Sequence, residues 1–152
     1  MEKMRRATEY LQMHGVRPSA QRIGVTRFMI DNPVHPSAEV IYDALVKEMP
    51  TLSLATVYNT LRVLVGTGAV TMLNVDSRNA RYDLALTPHA HFFCRKCGSL
   101  FDVPLRDEIA VSLSSDDSGF SVEGVDLCFK GLCGDCSSSR KEMSLTDIND
   151  PN

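Results

Sequence analysis

The stretch HPSAEVIYDALVKEMPTLSLATVYNTLRVLVG, residues 35–66, decides the fold. It holds two helices with their starts and stops spelled out. Ser37 and Ser53 each precede an apolar-periodic run, and a serine hydroxyl there accepts a backbone N–H that the first turn leaves unsatisfied. After Ser37, Val40, Ile41, Ala44 and Leu45 fall on one inner face, and Pro50 cannot continue the helix. After Ser53, Leu54, Val57, Leu61, Leu64 and Val65 do the same until Gly66 and Gly68 stop it. Only a few residues join the two helices, as a helix-turn-helix requires.

Upstream, residues 2–14 carry Met4, Ala7, Leu11 and His14 at helical spacing before Gly15. Ser19 is placed to cap a second helix running to about Ile30, ended by Asn32-Pro33. Downstream, Ala69–Val75 and Ala80–Leu84 are short strands flanking the polar turn Asp76–Asn79. Helices followed by a small hairpin are the order of a winged helix-turn-helix, although the same order occurs in folds that never touch DNA. The pattern then changes. Residues 1–84 are expected as one domain, 85–88 as a linker, 89–136 as a second domain and 137–152 as a polar tail. In the second domain His91–Cys94 and Ser99–Val103 read as strands, Leu105–Leu113 as a helix, and Phe120–Lys130 as a strand with Val125, Leu127 and Phe129 on one face. The class is α+β.

The net charge of −3 argues against nucleic acid only on average. Residues 1–80 carry nine basic and seven acidic side chains, whereas residues 81–152 carry seven and twelve. A basic face can bind phosphates on an acidic chain. No apolar run approaches the roughly 20 residues that span a bilayer. The basic, amphipathic start lacks the apolar core of a signal peptide, so the expected address is the cytoplasm, with no membrane partner.

Four of the five cysteines form two Cys-x-x-Cys knuckles, Cys94/Cys97 and Cys133/Cys136, with 35 residues between them. Four thiolates suit a structural zinc. A rubredoxin-type iron site and a redox dithiol are the alternatives. The fifth, Cys128, reads as a small buried hydrophobe or as a peroxide-reactive thiol. His89 and His91 project from one face of a strand, with Asp83 just before and Asp102 just after. They are candidates for a second metal site, against the plainer reading of each as a surface or core residue, which is how His14 is taken.

The strings HPSAEVIYDAL (His35–Leu45), ATVYNTLRVL (Ala55–Leu64), RYDL (Arg81–Leu84), HAHFFCRKCG (His89–Gly98), FDV (Phe101–Val103) and GLCGDC (Gly131–Cys136) together resemble the ferric uptake regulator family over residues 4–136. The resemblance implies an N-terminal winged-helix DNA-binding domain and a C-terminal α/β dimerisation domain with a four-cysteine zinc site on Cys94, Cys97, Cys133 and Cys136. It implies a regulatory iron or manganese on His35, Asp83, His89, His91 and Asp102. It implies a homodimer on an A/T-rich inverted repeat of double-stranded DNA, with Tyr58 as a contact. The outward face of the helix Ala55–Val65 adds Ala55, Thr56, Asn59 and Arg62 as readers, and Arg5, Arg6, Arg17 and Arg22 are candidates for phosphates or a minor groove, against the plainer reading of each as a solvated surface charge.

Within the family, three histidines with two aspartates and Asn59 after the Thr-Val-Tyr run look like the peroxide-responsive branch. Relatives resembling the iron sensor carry a His-His-Asp-His run where this chain has Pro88-His89-Ala90-His91, and a further histidine where it has Val125. The expected function is a metal-dependent repressor, not an enzyme, that senses peroxide by iron-catalysed oxidation of His35 or His89. The alternative is an iron- or manganese-responsive repressor that reads metal supply by reversible occupancy.

Overall fold

The computed structural model describes residues 2–75, 80–84, 89–105 and 126–138. The chain divides into two compact units, Met1–Thr87 and Pro88–Asn152. The first unit runs α1 (Glu2–Met13), α2 (Ala20–Asp31), α3 (Ala38–Leu45), α4 (Leu54–Gly66), β1 (Val70–Leu73) and β2 (Arg81–Leu84). The second contains β3 (Ala90–Cys94), β4 (Leu100–Val103) and β5 (Cys128–Gly131). The mixed helix and strand content is the expected α+β class.

The serines start the helices as the sequence requires. The hydroxyls of Ser19, Ser37 and Ser53 accept from the N–H groups of Arg22, Val40 and Thr56 at 3.3, 3.4 and 3.1 Å. Glycines end two helices in one way. Gly15 and Gly68 take φ of 69° and 71°. The next N–H reaches back five residues, Val16 to Leu11 O at 2.8 Å and Ala69 to Leu64 O at 2.9 Å. This is the left-handed cap that satisfies the last carbonyls, and a side chain would strain it.

Leu11, Val25, Met29, Ile41, Leu45, Val57, Leu61 and Leu64 form one core, closed by Val70, Tyr82 and Leu84 of the hairpin. Each fully buried Leu or Ile contributes roughly 1.5–3 kcal/mol. The wing is antiparallel, with Val70 opposite Leu84 and Thr71 opposite Asp83. Two hydrogen bonds tie it to the helices: Tyr10 O–H donates to Ala69 O at 2.5 Å, and Tyr82 N–H donates to Pro36 O at 3.0 Å.

Several expectations need correction. Val40 and Ala44 do not face the core. A two-turn helix buries one stripe, which here is Ala38, Ile41 and Leu45, and both other residues are exposed. Met4 at the start of α1 is likewise exposed, with Ala7 and Leu11 buried. Thr60, not expected inside, is buried with Val57, Leu61 and Leu64 on α4. β1 is shorter than Ala69–Val75, and Ala80 lies outside β2. The turn 76–79 and the linker 85–88 fall outside the described residues.

In the second unit the strand order is β4-β3-β5, antiparallel between β3 and β4 and parallel between β3 and β5. The expected strand Phe120–Lys130 is a strand over Cys128–Gly131 only, among the described residues. Phe129 is exposed and Cys128 is half-buried, the reverse of a simple inward-apolar alternation. Residues 106–113 of the expected helix, 114–125 and 139–152 lie outside the described residues. Among the described residues no helix is long and apolar enough to cross a membrane.

Candidate metal centres and nucleic-acid interface

The β3–β5 pairing assembles the cysteines. Cys94 ends β3 opposite Gly131, and Cys133 and Cys136 follow two and five residues later. All four Sγ atoms lie within 4.8 Å of one another, with Cys97 and Cys133 at 3.8 Å. Bonds of about 2.3 Å to a tetrahedral zinc would set sulfurs about 3.8 Å apart. Local backbone geometry supports the first knuckle: Gly98 takes φ of 72°, its N–H meets Cys94 O at 2.8 Å, and Cys133 N–H donates to Cys94 Sγ at 3.3 Å.

The thiols cannot all ionise alone. Backbone N–H groups of Cys97 and then Cys133 pull Cys94 down to about 6. The Ser99 hydroxyl and N–H lower Cys97, with the two side chains 3.2 Å apart. Cys136 is pushed up to about 12, first by its contact with Cys133 and then by burial. Such a crowd of sulfurs carries its negative charge comfortably only around a cation. The donor set and its spacing therefore fit a closed tetrathiolate site.

Each unit also holds its own nitrogen and oxygen donors. In the first, His35 Nε2 lies 3.7 Å from Asp83 Oδ1. The Tyr82–Pro36 hydrogen bond holds the segment before α3 against β2, one residue from each donor. His35 is 3% exposed and takes φ of 51° immediately before a proline. A non-glycine residue kept in the left-handed region is strained, and such strain clusters at functional sites. In the second unit His89 and His91 converge, Nε2 to Nε2, at 3.0 Å. Asp102 stands opposite His91 across the β3–β4 ladder, with its Oδ1 3.4 Å from His89 Nε2 and 3.9 Å from His91 Nε2. Imidazoles and carboxylates form a harder donor set than the four sulfurs, suited to ferrous iron or manganese. Cys128 is half-buried on β5, its Sγ 3.6 Å from Phe129 O. The His14 ring packs tilted against Tyr10 with centroids 4.4 Å apart, and its Nδ1 lies 2.9 Å from Tyr10 O, a structural placement.

The outer face of α4 carries Ala55, Tyr58, Asn59 and Arg62, all exposed. Thr56 is half-buried, its hydroxyl 2.9 Å from the Ser53 hydroxyl. Beside it a groove of about 350 Å³ between α2 and α4 is lined by Ser19, Arg22, Thr56 and Asn59 among others. Arg22 is half-buried and donates through Nη1 to Arg17 O at 2.9 Å; Arg17 itself is exposed. Arg5 is exposed and paired with Glu2 and Glu9 at 3.0 and 3.7 Å, so its charge is already partly matched. Arg6 is exposed.

The sequence reading missed Glu39 and Ser99. Glu39 accepts from Tyr58 O–H at 2.5 Å, and Ser99 sits beside Cys97. Neither carries a local signal. The first contact depends on how two helices cross, and the second on a turn closing.

The chain matches the ferric uptake regulator family over residues 13–129, and it belongs to that family. It is 35% identical over 137 residues to the peroxide operon regulator of Bacillus subtilis, covering 89% of this chain and 94% of that protein. Among solved structures, a zinc uptake regulator complexed with zinc and DNA is 27% identical, with a TM-score of 0.66, over 92% of this chain and 96% of the other. The Campylobacter jejuni peroxide stress regulator is 26% identical, with a TM-score of 0.61, over 90% and 100%.

Proposed function

We propose that this chain is a homodimeric, metal-dependent DNA-binding repressor that responds to peroxide, a regulator rather than an enzyme. The observation that carries this reading is a strained, buried His35 beside Asp83 in a winged-helix unit, in a chain 35% identical to a peroxide operon regulator. Residues 1–84 bind DNA, 85–88 link, and 89–136 dimerise and hold metal. Cys94, Cys97, Cys133 and Cys136 hold a structural zinc. His35, Asp83, His89, His91 and Asp102 hold one ferrous or manganous ion.

Three neutral imidazoles and two carboxylates would balance the charge of a divalent ion held there. Because His35 and Asp83 belong to the winged-helix unit and the other three donors to the second unit, binding one ion favours a single arrangement of the domains. That is the differential contact a switch needs. Ferrous iron, when bound, supplies the electron-transfer chemistry that cleaves peroxide, which manganese does not. His35 and His89 are the ligands expected to be oxidised, and an oxidised imidazole is a poorer donor. The domains then lose their shared restraint and the DNA is released.

On DNA, Thr56, Tyr58, Asn59 and Arg62 face the major groove, and Arg17 and Arg22 hold phosphates. Asn59 offers the donor–acceptor pair that matches adenine, fitting an A/T-rich inverted repeat. Asn59→Ala is expected to cost about 1–3 kcal/mol at one base position. Arg22→Ala is expected to weaken all sequences alike and lower the salt slope by about one. Titrations of base-substituted duplexes at several salt concentrations check both, and unchanged base preference in Asn59→Ala would remove it from the reading face.

The decisive experiment measures DNA binding by the manganese and ferrous forms before and after peroxide. Both forms are expected to bind, and only the ferrous form to release DNA. Binding that ignores metal overturns the switch. A ferrous form indifferent to peroxide leaves a repressor that reads metal supply by occupancy.

A further inference from the structure

Glu39 places a carboxylate beside the exposed face of α4. It lies in the first turn of α3 and accepts from Tyr58 O–H at 2.5 Å. A negative charge next to a phosphate-binding surface weakens binding, so it belongs there only if it contributes something else. The carboxylate is well anchored. The Tyr58 hydroxyl, the N–H of Glu39 itself and the Ser37 side chain hold it below the usual range. The start of α3, with its unsatisfied N–H groups, favours an anion at this position. In return, Glu39 holds the proton on Tyr58 and raises its pKa.

The Tyr58 side chain is thereby tied at its far end while the residue remains 40% exposed. With its O–H committed, Tyr58 offers a partner its ring and not a hydroxyl. The apolar group presented in the major groove is the thymine C5-methyl. We propose that Glu39 is a positioning residue for base reading, fixing the Tyr58 ring on the outer face of α4 where it meets a thymine methyl. This rests on the DNA-binding reading above.

The test uses a duplex selected from a random pool by the manganese-loaded wild-type dimer, with each thymine replaced in turn by deoxyuridine. That change removes one methyl and nothing else. The wild type is expected to lose about fourfold in affinity at one thymine of each half-site, the worth of a buried methyl-sized group. Glu39→Ala and Tyr58→Phe are each expected to bring that penalty close to one, and the double variant to be no worse than either. Glu39→Gln, whose amide oxygen still accepts from the phenol, is expected to keep it. A merely structural role for Glu39 predicts weaker binding to every duplex with the uracil penalty intact, and that result overturns the assignment. A wild-type dimer that selects no sequence overturns the DNA-binding reading and the assignment together. A selective wild type whose uracil penalty survives both Glu39→Ala and Tyr58→Phe overturns the assignment alone.

Discussion

Cys97→Ser is expected to release the structural zinc, from about one ion per chain to none, and with it the fold of the second unit and the dimer. Cys97 is the right position for this test because it is exposed, so serine there leaves no cavity and buries no new hydroxyl. Cys94 is fully buried, and its replacement would confound loss of the metal with damage to packing. The described part of the second unit has three strands of four or five residues, and Cys94 ends one of them. The first unit has its own core and is expected to keep its helices. Metal analysis, circular dichroism and sedimentation distinguish the outcomes. A folded Cys97→Ser dimer without zinc would falsify the structural role.

The second large effect is chemical. The ferrous protein, given modest peroxide, is expected to gain one oxygen atom on the peptide containing His35 or His89, while DNA binding falls in parallel. The balance is simple: one ring C–H becomes C–OH, the peroxide O–O bond breaks, and water leaves. The manganese form is expected to show neither change. Asp102 is expected to tune the response. It is about half exposed on β4, with one carboxylate oxygen directed toward His89 and His91. Asp102→Glu lengthens the reach of that carboxylate and is expected to leave a bound ion less accessible to peroxide. The variant is expected to keep metal-dependent DNA binding and to lose most of the peroxide response. If ferrous protein releases DNA while mass spectra show both histidines unmodified, the histidine route fails and Cys128 becomes the thiol to test.

The helices were legible because their determinants are local. Ser19, Ser37 and Ser53 cap within three residues, Gly15 and Gly68 terminate within five, and the core of α4 follows its own periodicity. Burial on the short α3 was less legible, since Val40 and Ala44 match an apolar pattern that the neighbouring elements leave uncovered. The knuckles were legible as spacing, but not as the parallel β3–β5 pairing that brings them together. The closeness of His35 and Asp83 was not legible from pattern, because it depends on a backbone hydrogen bond between Pro36 and Tyr82. The family resemblance supplied that set. The Glu39–Tyr58 contact had no signal of either kind.

The parallel pairing of β3 with β5 also orders events during synthesis. The helices of the first unit close through contacts near in sequence, which form early and fast. The sheet of the second unit waits for residues 128–131, and the cysteine cluster for Cys136. A chain that stops before Cys133 therefore has the whole helical unit and only one of the two Cys-x-x-Cys pairs. Such a fragment is expected to fold its helices and to leave the second unit open to proteolysis.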